Sequence, residues 1–103
     1  MSDYVYEFTK QFAGADLERL FGQADWATTR SAEGLLAMVE NTRVCLGVWD
    51  GDHLIGFARA ITDDVYRAYI EDVIVDGDYR RQGIARKMMQ LMLERLDHIE
   101  EIT

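Results

Sequence analysis

The sequence predicts an α+β fold that turns α/β in its last third. Three observations carry this. Short stretches with period-two alternation, beginning with "DYVYEFT", read as strands. Asp50-Gly51 separates two β-rich runs, "TRVCLGVW" and "HLIGFARAIT", which is a hairpin signal. Apolar residues at 84, 85, 88, 89, 92, 93 and 96 recur at helical period just after another strand-like run, "RAYIEDVIV".

Taken in order, Tyr4, Tyr6 and Phe8 form one face of a first strand. Asp16 is placed to cap a helix whose apolar face is Leu17, Leu20, Phe21 and Ala24. "GQADWATTR" breaks that pattern and is expected to expose Trp26 on a loop. Ser31 is placed to cap a second helix, with Glu33 in its first turn and Leu35, Leu36 and Val39 as its stripe. The hairpin follows, and Asp63-Asp64 marks the next turn. Arg67 to Val75 reads as a central strand, because its end is continuously apolar. The helix from Ile84 presents a broad stripe and is expected to be well buried, its methionines filling the core. "HIEEIT" begins a further strand.

A chain of 103 residues is expected to form a single domain, 1–103. No apolar run reaches the length of a membrane span, and "MSDYVYEF" lacks the basic and apolar regions of a signal peptide. The single Cys45 fits a reducing cytoplasm and reads as a small core residue rather than a nucleophile. The net charge of −8 argues against nucleic-acid binding, which needs a basic face. It is compatible with a cationic amine substrate, although an acidic surface more often serves solubility. No metal site is expected. His53, in the hairpin turn, and His98, near the end, read as solvated.

Against this acidic background, "DYRRQGIARKMM" gathers Arg80, Arg81, Arg86 and Lys87 around Gly83 at a strand-to-helix junction. The first N–H groups of a helix lack intrahelical acceptors, and its dipole is positive there, so the junction suits an anion. Gly83 admits a ligand close to the backbone, and Ala85 is the next smallest choice. Gly-Lys-Ser/Thr is absent, as is a three-glycine dinucleotide fingerprint. What remains is a diphosphate held by a short arginine-glycine loop.

Arg80-Arg81-Gln82-Gly83-Ile84-Ala85 resembles the (Arg/Gln)-x-x-Gly-x-(Gly/Ala) acetyl-coenzyme A motif of the GNAT N-acetyltransferase superfamily. "YIEDVIVDGDYRRQGIARKMM" is similar to that family's fourth strand, pyrophosphate loop and third helix, and "CLGVWDGDHLIGFARA" to its second and third strands. The resemblance implies an acyl-CoA N-acyltransferase fold, with a mixed, mostly antiparallel central sheet flanked by helices in a three-layer-like arrangement. It implies acetyl-CoA as donor, with its pyrophosphate on the N–H groups of Gln82, Gly83, Ile84 and Ala85 beside Arg80 and Arg81. Pantetheine would pair with Val73, Ile74 and Val75 as an added strand, and an N–H near Val73 would polarise the thioester carbonyl. The family often has proline where Gly77 stands, so a looser turn is expected here.

The implied reaction is attack of a neutral primary amine of a small molecule on the acetyl thioester, which needs a base. Glu71 is the favoured candidate and Asp72 the weaker one; alternation sets them on opposite faces, with Glu71 sharing the parity of Val73 and Val75. Phe21, Trp26 and Tyr69 are candidate acceptor-pocket residues, with Tyr66 behind them. An acidic, aromatic pocket would suit an aryl or alkyl amine. "FARAITDDVYRAYIEDVIVD" also resembles a stretch of some aralkylamine-type members.

Family members usually continue through a fifth strand, a fourth helix and a last hairpin. That part often supplies a tyrosine that protonates the departing thiolate. This sequence stops at "EEIT", where the fifth strand would begin, so the fold is expected to lack its C-terminal strands. A bare strand edge predicts a homo-oligomer formed by strand pairing or swapping. The alternative to an enzyme is a non-catalytic module that binds acyl-CoA or pairs with another chain.

Overall fold

The computed structural model describes residues 3–103. Its elements run β1 (Val5–Phe8), α1 (Gly14–Phe21), α2 (Ala32–Glu40), β2 (Val44–Asp50), β3 (His53–Thr62), β4 (Arg67–Val75), α3 (Ile84–Arg95) and β5 (Glu101–Ile102), with 3-10 turns at Asp25–Ala27 and Gly77–Tyr79. The strands lie in sequence order in one sheet. β1 to β4 pair antiparallel, and β5 joins β4 in parallel. The expected mixed, mostly antiparallel sheet between helices is the fold observed.

The helices cover opposite faces of this sheet. Leu17, Leu20, Phe21, Leu35 and Val39 of α1 and α2 pack on Cys45, Leu54, Phe57 and Ile74. Ile84, Met88 and Met92 of α3 pack on Leu46, Val48, Ile55, Ala58 and Ala60 of the other face. Gly56 permits that second contact, since a Cβ there would meet Val48 Cγ2 at 3.1 Å and Met88 Sδ at 3.2 Å. Cys45 is buried, and that burial pushes its thiol up to about 11. It is a core residue, as its apolar context indicated.

Local chemistry explains most boundaries. Ser31 caps α2, its Oγ accepting from Gly34 N at 3.0 Å. Gly51 takes a positive φ of 60° in the β2–β3 turn. At the next turn Asp63 Oδ1 accepts from the N–H groups of Val65, Tyr66 and Arg67. Those bonds hold its carboxyl below the usual carboxylate range.

Other expectations are corrected. Asp16 does not cap α1; Ala13 is the cap residue and Asp16 lies in the first turn. Leu36 leaves the buried stripe and lies on the side of α2 beside Gly14. The stripe of α3 narrows to Ile84, Met88 and Met92, continued by Leu96, while Ala85 and Leu93 are exposed. β4 is not central along its whole length, because β5 pairs only with Arg67 and Ala68 and leaves the outer edge of the later residues without a strand among the described residues. The turn at Gly77 is not loose. Asp76 Oδ1 accepts from Asp78 N at 2.9 Å, and Gly77 N donates to Gln23 Oε1 at 2.8 Å, a bond proline could not make.

Candidate functional site

The strand β4 carries the expected reaction residues, and its regularity fails where they stand. Arg59 pairs with Glu71 and Phe57 with Ile74, so three steps on β4 oppose two on β3. This is a β-bulge. Asp72 takes a φ of 55° within it. The extra residue reverses the parity: Ile70 and Val75 pack with the α3 cluster, whereas Ile74 packs with the α1/α2 cluster. Glu71 therefore does not share the parity of Val73 and Val75, and simple alternation no longer separates it from Asp72.

The bulge is pinned by charge. The Asp72 side chain is only 5% exposed and meets Arg59 Nε at 2.6 Å and Arg30 Nη1 at 3.2 Å. Arg59 Nη1 also donates to Thr42 Oγ1 at 3.3 Å. The Arg30 guanidinium lies over both the Phe21 ring, at 5.6 Å, and the Trp26 ring, at 5.4 Å. Asp72 thus joins the α1–α2 connection to the sheet. Both guanidiniums occupy the Asp72 carboxylate, which gives it a structural role as the lock of the bulge. Glu71 is half-buried and shows no ion pair or side-chain hydrogen bond among the described residues. Arg59 was the signal missed in the sequence: an arginine at an inward position of the apolar run "LIGFARA" requires a buried partner.

The cofactor candidates gather at the other end of β4. Val73, Ile74, Val75, Arg80 and Ala85 line a cavity of about 330 Å³ together with Gln23, Ala24 and Trp26. Val75, Arg80, Arg81, Gly83, Ile84 and Ala85 line an adjoining one of about 300 Å³ with Tyr79 and Arg86. Gly83 precedes α3 at φ 79°, and Arg81 is also left-handed at φ 66°. The first helical bond is Lys87 N to Gly83 O, and the N–H groups of Gly83, Ile84, Ala85 and Arg86 have no backbone acceptor among the described residues. A Cβ built on Gly83 meets nothing within 4 Å, so the loop is open on that side.

Gln82 is turned away from the cavities. Its Oε1 accepts from Tyr4 Oη at 2.7 Å, which ties the loop to β1's approach. Tyr79 Oη donates to Asp50 Oδ2 at 2.7 Å, and this bond chiefly pushes the Tyr79 phenol up to about 12. The socket is thus braced by two tyrosine hydroxyls, and Arg80 Nε donates to Val75 O at 3.4 Å. Free helical N–H groups, a glycine that admits close approach and adjacent guanidiniums suit a diphosphate.

Of the expected acceptor residues, Phe21 and Trp26 meet edge to face with ring centroids 6.5 Å apart, while Tyr69 stands apart from them. Phe21 is 0% exposed and offers a ligand no surface. Trp26 is 58% exposed and does line the first cavity. Tyr69 and Tyr66 are exposed at the start of β4, away from both cavities. Neither cavity is acidic; their charged lining is Arg80, Arg81 and Arg86. His53 and His98 are half-exposed, near Asp76 at 3.5 Å and Asp64 at 2.9 Å respectively. Among the described residues no group of three or more metal-ligating side chains occurs, and no helix is long and apolar enough to cross a membrane.

The sequence model described as "Acetyltransferase (GNAT) family" matches residues 5–102. An uncharacterized ycf52-like N-acetyltransferase of Prochlorococcus marinus is 29% identical over 97 residues, covering 90% of this chain and 53% of that protein. The chain thus spans about half the length of the curated relatives it matches. Among solved structures, a GNAT family acetyltransferase of Streptococcus pneumoniae superposes with a TM-score of 0.79 at 22% identity, over 97% of this chain and 73% of that one. The Escherichia coli GNAT family N-acetyltransferase YhbS, solved in complex with CoA, gives 0.77 at 18%, over 94% and 58%.

Proposed function

The chain belongs to the acetyltransferase (GNAT) family, and on that premise we propose that it binds acetyl-CoA and transfers the acetyl group to a primary amine of a small molecule. The observation that carries the reading is the open socket at the start of α3, where unpaired N–H groups, Gly83, Arg80 and Arg81 border two adjoining cavities. The solved complex of YhbS with CoA supports a coenzyme A ligand for this fold. In this reading Gly83, Ile84 and Ala85 donate backbone N–H groups to the pyrophosphate and Gln82 closes the loop onto Tyr4. Val73, Ile74 and Val75 offer the outer edge of β4 to pantetheine.

The bound donor supplies an activated thioester carbonyl. Glu71 takes the proton of the attacking amine as the carbon–nitrogen bond forms and the carbon–sulfur bond breaks, releasing the coenzyme as its thiolate. Val73 contributes its N–H to the carbonyl oxygen. Trp26 forms a wall beside the acetyl end, held in place through Arg30 and Asp72. The test is release of coenzyme A thiol with a panel of primary amines, comparing the native chain with Glu71→Gln. A rate lowered by about a hundredfold, at unchanged acetyl-CoA affinity, supports the base assignment. An unchanged rate removes it.

One observation favours a second reading, a non-catalytic acyl-CoA-binding or strand-pairing module. The outer edge of β4 beyond the short β5 has no strand partner among the described residues, and such edges recruit strands. Both ligands would use the same edge. Light scattering therefore separates the readings: self-association that acetyl-CoA does not reverse, with no thiol release, supports the module. A homo-oligomer that acetyl-CoA dissociates supports the transferase.

A further inference from the structure

Beyond the cofactor cavities, a third cavity of about 730 Å³ opens beside the end of α2 and the end of β3. Its charged lining is Lys10, Arg43 and Arg59 against Glu40. In a chain with 11 basic and 19 acidic residues this is a local reversal of sign.

The positive charges are only partly neutralised. Asp72 meets both Arg30 and Arg59, so one carboxylate serves two guanidiniums. Lys10 Nζ rests on the backbone oxygen of Glu40 at 3.1 Å, not on its carboxylate. Arg43 reaches Asp64 only at 3.8 Å, and Asp64 is shared with Arg95 and His98. Burial of Arg59, whose side chain is 15% exposed, strengthens the field it presents.

Strand register sets this cavity beside the candidate reaction centre. Arg59 is paired with Glu71, and Ile61 with Tyr69. Directly opposed side chains on a sheet lie about 5 Å apart. Glu71 and Tyr69 therefore border the same sheet face as the cavity-lining Arg59 and Ile61. We propose that this cavity anchors the acceptor and takes a carboxylate: the acceptor is an amine that also carries an anionic group, its amine toward Glu71 and its carboxylate toward Lys10, Arg43 and Arg59. This deepens the acetyltransferase reading and rests on it. It also replaces the expected acidic, aromatic pocket, because the cations line the side away from the cofactor socket while Glu71 faces the amine.

The test titrates δ-aminovalerate and its neutral primary amide into isotope-labelled protein and follows backbone amide signals. The carboxylate compound should bind at least about tenfold more tightly than the amide, moving the signals of Thr42, Arg43 and Thr62. Arg43→Glu, at an exposed position, should remove most of that preference while acetyl-CoA still raises the melting temperature; Lys10→Glu should act in the same direction. Equal binding of the two compounds, binding of neither, or shifts that map elsewhere would overturn the proposal. Loss of the acetyl-CoA effect in the native chain, with the carboxylate still mapping to this cavity, would overturn the transferase reading and the acceptor role together, and leave an anion site of other purpose.

Discussion

The proposed cofactor socket is one contiguous run, Arg80 to Ala85, whereas the proposed acceptor side draws Arg30, Thr42, Arg59 and Asp72 from separate stretches of the chain. The socket leaves its N–H groups without a backbone acceptor among the described residues and includes two left-handed residues, Arg81 and Gly83. The acceptor side instead gathers two guanidiniums around one nearly buried carboxylate, which pins the bulge and only partly neutralises them. The difference teaches where stability and binding are held. A loop that reserves its donors for a ligand contributes little to folding. A pinned bulge contributes to folding and only indirectly to binding.

This contrast can be broken most readily at Asp72. Asp72→Ala removes the shared partner of Arg30 and Arg59 and leaves a positive φ on a residue with a Cβ. It should destabilise the fold by about 3 kcal/mol in urea unfolding. Asp72→Gly, which tolerates that φ, should recover about 1 kcal/mol of the loss. A silent Asp72→Ala would mean that the bulge stands without its ion pairs.

The converse effect belongs to the socket. Arg81→Glu should weaken acetyl-CoA by at least about tenfold, the loss of one charge-assisted contact, with unfolding unchanged. Arg81→Gly sharpens the contrast further. It relieves a left-handed arginine and should stabilise the free protein by roughly 0.5 kcal/mol, even as it weakens acetyl-CoA. A destabilised Arg81→Gly would show that the loop is structural after all.

Cys45 gives an effect confined to alkaline pH and absent at neutrality. Its thiol is held up to about 11 by burial, while an unfolded thiol ionises near about 8.5. Stability should therefore fall as pH rises from that unfolded value through the folded one, because the unfolded chain releases the proton first. Cys45→Ala should remove this part of the alkaline slope, and iodoacetamide should alkylate the native thiol only as the protein opens. Rapid alkylation of the folded chain would contradict its burial.

These regions also differ in how far the sequence revealed them. The strand limits Arg67 and Val75 and the hairpin at Asp50-Gly51 could be read because alternation and turn chemistry are local. So could the socket, whose glycine and arginines are neighbours in the chain. The bulge could not, because an extra residue is defined only against a partner strand, and it overturned the parity assigned to Glu71. Phe21 and Trp26 are close in sequence, yet one is buried and the other exposed. Aromatic composition alone does not separate them; the helix face does. The basic cavity was illegible for the same reason, since Lys10, Arg43 and Arg59 meet only through the fold.

The central claim is that the start of α3 and the outer edge of β4 form an acyl-CoA site. The most direct measurement is the melting temperature of the native chain with acetyl-CoA, beside Arg81→Glu. Saturation to a hundred times Kd should stabilise by about 2.7 kcal/mol, a rise of roughly 10 °C for a domain of this size, with the rise sharply reduced in Arg81→Glu. No rise in the native chain, or an equal rise in both, would contradict the account.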